Sequence, residues 1–428
     1  MLLDSLVDHL PSAWEAGSET AQDASGESVE IACTDEAPLA AYIFKTVADP
    51  FVGKLSYFKV VSGKLSGEVA PVNSRTGEQE RLGKLIYMTG KKQEDTAFIT
   101  AGDIGAVTKL SGAVTGDTLC DPKKIVSFER VEFPEPCLSM AVKVKNKGDE
   151  GKVAQGMQRL IEEDPSIGFE QNAETHQQVI SGLGEQHLDV IVSKLKSKFG
   201  VDIGLTKPRV AYRETIRKPV KVQGKHKKQS GGHGQYGDVW IEFSPYDGEG
   251  LLFEENVFGG SVPKNFFPAV EKGLQDCVKH GVLAGYPMVG LKAVLVDGSY
   301  HPVDSSEMAF KTAASLAYKA AMPQASPALL EPIGNLKVYV PDSNTGDIIS
   351  ELNKRRGRVL GMNPDEDGMQ VIEGEVPMSE MGDFATVLRS TTQGRGSFTL
   401  KFERYELLPS QLEAAVIEEA KKMNEEEA

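Results

Sequence analysis

The order in which helical and extended patterns alternate constrains this chain more than any single motif. Over residues 135–206 a strand pattern (CLSMAVKVK) leads into a helical one (DEGKVAQGMQRLIEED). Two strand patterns (SIGFEQN and HQQVISGL), a second helix (EQHLDVIVSKLKSKF) and a last strand (VDIGL) come next. In the second helix Leu188, Ile191, Val192, Leu195 and Phe199 recur at helical spacing, so one face is core. The same order returns over 330–405: LLEPIGNLKVYVP, NTGDIISELNKRRG, RVLGMNP, GMQVIEGEVP, SEMGDFATVLRSTTQG and SFTLKFERYEL. A βαββαβ order is that of the split βαβ sandwich. The two occurrences share the order of elements and no residue-level repeat. At 428 residues the chain is too long for one core, and two to four domains are expected.

Around these units the patterns differ. From about 37 to 128, short runs rich in β-branched and aromatic residues (AAYIFKTV, LSYFKVVSG, KLIYMTG, TAFITAGDIGAV) alternate with glycines, which predicts a small closed β-barrel. Residues 207–327 read as a β-rich and then mixed unit. PSQLEAAVIEEAKKMNEEEA reads as an amphipathic helix with an acidic tail. At the start, Leu2, Leu3, Leu6, Val7 and Leu10 form one helical stripe ended by Pro11, with no N-cap before it, so the chain is expected to begin inside a helix, as a truncation would. The Ser-, Ala-, Gly- and acid-rich stretch 12–28 reads as a loop or linker.

Net charge is −15, which taken whole discourages phosphate binding. The distribution reverses that inference. Residues 1–30 hold seven acids and no Lys or Arg, whereas 207–233 hold nine Lys/Arg against one acid, Glu214. A second basic knot is Lys354, Arg355, Arg356 and Arg358. A charge run is ordinarily a solvated face, but so basic a stretch in so acidic a chain reads as an element facing a polyanion. No apolar run approaches membrane-spanning length, and no positively charged segment precedes the first apolar residues, so no membrane partner and no export are expected. Cys33, Cys120, Cys137 and Cys277 are scattered without a C-x-x-C pair, which argues against a disulfide framework or a structural zinc site and fits a reducing cytoplasm.

Nucleotide motifs fail on context. NKGD (146–149), DEDG (365–368) and DGEG (247–250) match four-letter guanine-nucleotide patterns, but the phosphate-cradling G-x-x-x-x-G-K-[ST] is absent, so this chain alone is not expected to hydrolyse GTP. NKGD reads as a polar turn between a strand and its helix. Gly232, Gly234 and Gly237 fit G-x-G-x-x-G, yet DVWIEFSP continues as a strand where a dinucleotide fingerprint needs a helix. Preceded by Lys225, His226, Lys227, Lys228 and Gln229, these glycines suit either a flexible hairpin or a finger whose backbone presses against a phosphate-rich surface, and spacing does not separate the two. His301 stands in a turn-rich loop, DGSYHPVDSSE, before a helix that Ser305 or Ser306 could cap. No His or Cys lies at metal-ligand spacing, and no nucleophile or paired carboxylate stands out. Binding and mechanics are expected rather than bond-making.

Several segments together resemble bacterial elongation factor G, in that family's own order: PLAAYIFKTVADPFVGKLSYFKVVSG, FPEPCLSMAV, LGEQHLDVIV, KPRVAYRETIRKPV, KQSGGHGQYGDV, GSYHPVDSSEMAFKTAASLA, LLEPI, NTGDIISELNKRRG and VPMSEMGDFATVLRSTTQGRGSF. The resemblance runs through the chain and covers the part of the family C-terminal to its GTPase domain, with LLDSLVDHLPS like that domain's last helix. It implies a multidomain β-barrel plus α+β fold. Its parts are a remnant helix and acidic linker (1–28), a translation-factor β-barrel (29–128), a ferredoxin-like domain (129–206), an elongated tRNA-mimicking arm (207–327), a second ferredoxin-like domain (328–408) and a C-terminal helix and tail (409–428). It further implies a ribosome-bound factor that moves tRNA and mRNA, with rRNA, tRNA and mRNA of the decoding centre as partners. The factor would work as a monomer, with its own GTPase domain carrying GTP and Mg; no cofactor is expected in this chain. By motif position the arm tip comprises Gln229, Ser230, Gly231, Gly232, His233, Gly234 and Gln235, and a second loop from Ser299 to Ser305 with His301, Pro302, Asp304 and Ser305. Lys225, Lys227, Lys228, Arg355, Arg356 and Arg358 would face rRNA. The family motif reads S-G-G-R-G-Q-Y-G, so His233 replaces a permanent cation with a weak one. The barrel stretch SGKLSGEVAPVNSRTGEQERLGKLIYMTGKKQEDT, which fits the family's outline loosely, and the acidic 15–28 stretch admit a ribosome-recycling or ribosome-protection paralogue, and a stand-alone ribosome-binding protein is the third reading.

Overall fold

The glycine-punctuated runs between residues 40 and 120 pair into one seven-stranded antiparallel sheet. Its strands lie in the order Val72–Asn73, Thr118–Cys120, Ala40–Asp49, Gly53–Ser62, Ile104–Thr108, Leu85–Thr89, Lys92–Thr96. In this computed structural model, residues 2–49, 53–90, 92–146, 148–172, 174–230, 233–365 and 368–427 are described, with backbone only at 230, 233 and 424–427. Ile43, Phe58, Val60, Ile99 and Leu119 fill the sheet's inner side and are fully buried. Hydrogen bonds do not close the expected barrel among the described residues: the strand path is open. Its last strand, KQEDT, is polar and almost wholly exposed, so it gains nothing by turning inward and remains a charged edge.

Residues 12–28 also depart from the expected linker. Ser18–Asp23 and Ser28–Ala32 form a hairpin, joined by Val126–Ser127 into a three-stranded sheet. The sequence hides this because its apolar contribution is small: Ala21 and Ile31 are buried against Val126 and Phe128. The polar residues bond to one another instead. Ser18 and Thr20 hydroxyls donate to Glu30, and Asp23 Oδ1 accepts from the amides of Ser25 and Glu27 across the turn.

The first βαββαβ unit forms the expected sheet, ordered Gly168–Gln171, Gln178–Gly182, Leu138–Val144, Ile203–Thr206. Helices Glu150–Glu163 and Glu185–Phe199 bury Val153, Met157, Leu160, Leu188, Ile191 and Leu195. The second helix ends at Gly200, whose φ of 68° provides the left-handed cap. Asn146 and Asp149 lie in the turn before the first helix, as the sequence predicts, while Lys147 is outside the described residues.

The chain divides into two units, Met1–Pro208 and Arg209–Ala428. In the second, the 15-residue strand Pro327–Pro341 is central, flanked by Ser397–Leu407 and Met369–Pro377, with Arg358–Pro364 beyond. Helices Thr345–Lys354 and Phe384–Thr391 bury Ile348, Leu352, Phe384 and Leu388 on it. The arm is a four-stranded sheet in the order Val220–Ser230, His233–Pro245, Leu291–Ser299, Leu251–Glu255.

Helix Glu307–Ala321 explains the arm's composition. Ala309, Ala313, Ala317 and Ala321 recur every fourth residue and are buried, giving the helix a flat face. Opposite it lie Gly224 and Gly237 on the two strands of the long hairpin. A Cβ on Gly224 would collide with Ala313 and Ala317, and one on Gly237 would sit 2.5 Å from Ala309 O. Helix and hairpin therefore approach to backbone contact. Ser306, not Ser305, caps the helix, accepting from Ala309 N at 3.2 Å.

The arm is rooted by Glu214. It lies on strand Arg213–Ile216, which pairs with the first residues of Pro327–Pro341. Its fully buried carboxylate accepts the amides of Leu283 (2.8 Å), Ala284 (2.8 Å), Gly285 (2.9 Å) and Tyr286 (3.2 Å). The C-terminal helix Ser410–Glu427 completes the root, with Val416 and Ala420 packed beside Leu329 and Leu408.

Candidate nucleic-acid interface

Two loops meet at the arm's end. The hairpin register pairs Ser230 with His233, so Gly231 and Gly232 are the intervening residues. These two glycines, and the side chains of Ser230 and His233, lie outside what the structure describes. The second loop is held by four hydrogen bonds, three to the hairpin and one within the loop. Tyr236 N donates to Asp304 O (2.8 Å) and Gly234 N to Asp304 Oδ1 (3.1 Å). Ser305 Oγ donates to Tyr236 O (2.9 Å) and accepts from His301 N (2.9 Å). His301 and Pro302 are exposed on the outer side of this clasp.

Behind the tip runs a polar spine that the sequence did not reveal. Asp238, nearly buried, accepts from Gln223 Nε2 (2.8 Å) and Ser299 Oγ (2.7 Å). With its proton given to Asp238, Ser299 accepts from the Tyr236 hydroxyl at 2.7 Å. Lys225 Nζ is 3.9 Å from Asp238 and 5.7 Å from the Tyr236 ring centre. Tyr236 lies within the glycine motif, Asp238 directly follows it, Ser299 opens the second loop, and Gln223 is on the facing hairpin strand. The available signal was polar residues alternating with buried ones along a hairpin.

The cations sort into free and engaged. Lys227, Lys228 and Gln229 are exposed and, among the described residues, have no side-chain partner, whereas Lys225 belongs to the spine and Gln235 is tied to His226 Nε2 at 3.0 Å. The second basic knot differs from its sequence reading as an open cationic face. Arg355 is nearly buried and pairs with Glu351 (2.9 Å) and Asp383 (2.6 Å). Arg356, at φ 58°, pairs with buried Glu331 (2.7 Å) and with Glu380 (3.0 Å), and the Glu331 carboxylate pushes its already high pKa further up. Arg358 meets Glu375 (2.9 Å) and Glu406 (3.3 Å). Glu351 is a local partner one helical turn away, but Glu331, Glu375, Glu380, Asp383 and Glu406 come from segments farther away along the chain, which local charge counting cannot see.

The glycines also divide. Gly237 serves the helix packing already described, and a Cβ on Gly234 would sit 2.6 Å from Asp304 Oδ2, so the clasp itself requires that glycine. Both positions thus have a reason within the fold to be glycine. No group of three His, Cys, Asp or Glu suited to a metal occurs among the described residues. In the first unit a concavity of about 490 Å³ is lined by Lys152, Arg159, Glu162 and Phe199, and its two cations already face Asp149 and Glu162.

An open β-sheet domain, two ferredoxin-like sheets and an arm with a clasped, cation-flanked tip define a multidomain translation factor. Family models match in tandem: "Elongation factor G domain 2" over 38–122, "Elongation Factor G, domain III" over 133–207, "Elongation factor G, domain IV" over 208–326 and "Elongation factor G C-terminus" over 328–416. The chain belongs to the elongation factor G family. Among solved structures it is similar to ttk003000868 from Thermus thermophilus, at 36% identity and a TM-score of 0.76. That similarity covers 98% of this chain, which spans 61% of the length of the other.

Proposed function

We propose that this chain is the ribosome-engaging portion of an elongation factor G-like factor. It would promote movement of tRNA and mRNA, with the arm tip entering the decoding centre of the small subunit. GTP and Mg would belong to a GTPase domain acting with it, in the cytoplasm. The observation that carries this reading is the clasped tip flanked by exposed Lys227 and Lys228, which have no side-chain partner among the described residues. A side-chain-poor, preorganised end with free ammonium groups suits close approach to a phosphate-rich duplex. Arg355 and Arg356 leave the set of proposed RNA contacts, because their carboxylate partners hold them.

Co-sedimentation with ribosomes across a salt series tests the proposal. Each phosphate contact contributes about 0.7–0.9 to the slope of log affinity against log salt. Changing Lys227 and Lys228 together to Glu should lower that slope by about 2, while Lys225→Gln should change it far less. Binding indifferent to salt and to both variants would reject it. A recycling or ribosome-protection paralogue is the second reading, favoured by the acidic 15–28 stretch. Single-turnover translocation with a GTPase domain supplied separates the two.

A further inference from the structure

His301 carries more information than its exposure suggests, because one of its nitrogens is already spoken for. Val303 N lies 3.3 Å and Asp304 N 3.1 Å from His301 Nδ1, each in hydrogen-bonding geometry. A backbone amide can only donate, so Nδ1 must present a lone pair. The competing arrangement, a proton on Nδ1 given to Asp304 Oδ2 at 3.4 Å, would set an N–H against two N–H donors for one longer contact. Asp304 cannot readily move to improve it. Its Oδ1 takes Gly234 N, its carbonyl takes Tyr236 N, and the neighbouring Ser305 Oγ bridges Tyr236 O and His301 N. The proton of the neutral ring is therefore on Nε2, the nitrogen that has no partner among the described residues.

We infer that Asp304 is a positioning residue that fixes His301 as a hydrogen-bond donor, so that what the arm tip offers outward is an Nε2–H aimed at an acceptor atom. Resting on the proposed ribosomal role, that acceptor is an RNA oxygen or ring nitrogen, as on a 2′-hydroxyl or a base edge. A donor-only contact reads shape and acceptor position rather than charge.

Two measurements decide this. In the full chain labelled with ¹⁵N-histidine, above the ordinary histidine pKa range, long-range ¹H–¹⁵N spectra assign the tautomer, with His301 identified by its loss in His301→Asn. A protonated Nε2 and a bare Nδ1 are expected, and Asp304→Ala should broaden or mix the two. The second measurement is affinity for ribosomes programmed with mRNA and tRNA. His301→Asn keeps an acceptor where Nδ1 stands but has nothing at Nε2, and should bind about 3- to 10-fold more weakly. His301→Gln returns an N–H near the Nε2 position and should recover part of the loss. An Nδ1–H tautomer, or His301→Asn binding as tightly as the parent, overturns the inference. If the parent chain does not bind ribosomes, the functional proposal falls, and the spectra alone decide whether His301 is a fixed donor.

Discussion

Removing the Glu214 carboxylate should loosen the root of the arm, by an amount the local burial sets. Four amides lose their acceptor in Glu214→Ala, but they are not equally placed. Gly285 is exposed and water can replace the bond; Leu283 and Tyr286 are half-buried; Ala284 is buried and its N–H is stranded. An unsatisfied buried donor costs about 1–3 kcal/mol, and partly buried ones a fraction of that, for a sum of about 3 kcal/mol. For a unit of this size that is a fall in Tm of about 6–12 °C. The chain has two tryptophans, Trp14 and Trp240. In a Trp14→Phe background the half-buried Trp240 on the arm sheet reports the transition alone. Glu214→Gln, which keeps one acceptor oxygen but turns an amine toward a backbone donor, should fall between. Gly281 supplies an internal check, since a Cβ there would overlap the Glu214 carboxylate. Gly281→Ala should destabilise the parent yet add little to Glu214→Ala, a coupling of about 1 kcal/mol or more. A Tm change below about 2 °C in Glu214→Ala, or strict additivity, would refute the keystone role.

The same geometry sets three other expectations. Asp117 is buried, which opposes its ionisation, but Arg75 (2.8 Å), Asn73 and the Val114 amide outweigh burial and hold its pKa below the ordinary carboxylate value. A depressed folded pKa gives stability that is present above the unfolded value and lost as pH falls through the folded one. The first unit should therefore lose Tm on going below about pH 4, and Asp117→Asn should flatten that dependence while lowering Tm at neutral pH. Gly237→Ala forces a methyl against the helix backbone at Ala309 and should cost about 1–3 kcal/mol, read by the same Trp240 transition. Calorimetric titration of GTP into the chain should give no stoichiometric heat, since no phosphate-cradling loop is present.

What the sequence disclosed was local or periodic. The Leu188–Ile191–Leu195 face, the helix that Ser305 or Ser306 could cap and both βαββαβ orders came from spacing and capping chemistry, and each is in place. What it concealed depends on partners far along the chain. The Ser18–Asp23 strand is held by Val126 and Phe128 more than 100 residues on. Arg356 looks like a free cation until Glu331, 25 residues earlier, arrives beside it. Asp304 was legible as a tip residue by resemblance, whereas its bond to Gly234 across 70 residues was not. Long-range pairing between polar groups leaves no periodic trace, so composition misassigns it as solvent-facing.

The strand Pro327–Pro341 has a mechanical meaning. Its first residues carry the arm through pairing with Arg213–Ile216, and the remainder is the centre of the C-terminal sheet. A load pulling the arm along the strand direction would meet the Arg213↔Leu330 to Ile216↔Pro327 ladder in shear, where the bonds share the force rather than opening one after another. One stretch of backbone thus serves both modules: Ser326, at φ 54°, turns the chain out of the arm, and the strand that begins at the next residue first pairs with the arm's root and then becomes the middle of the C-terminal sheet.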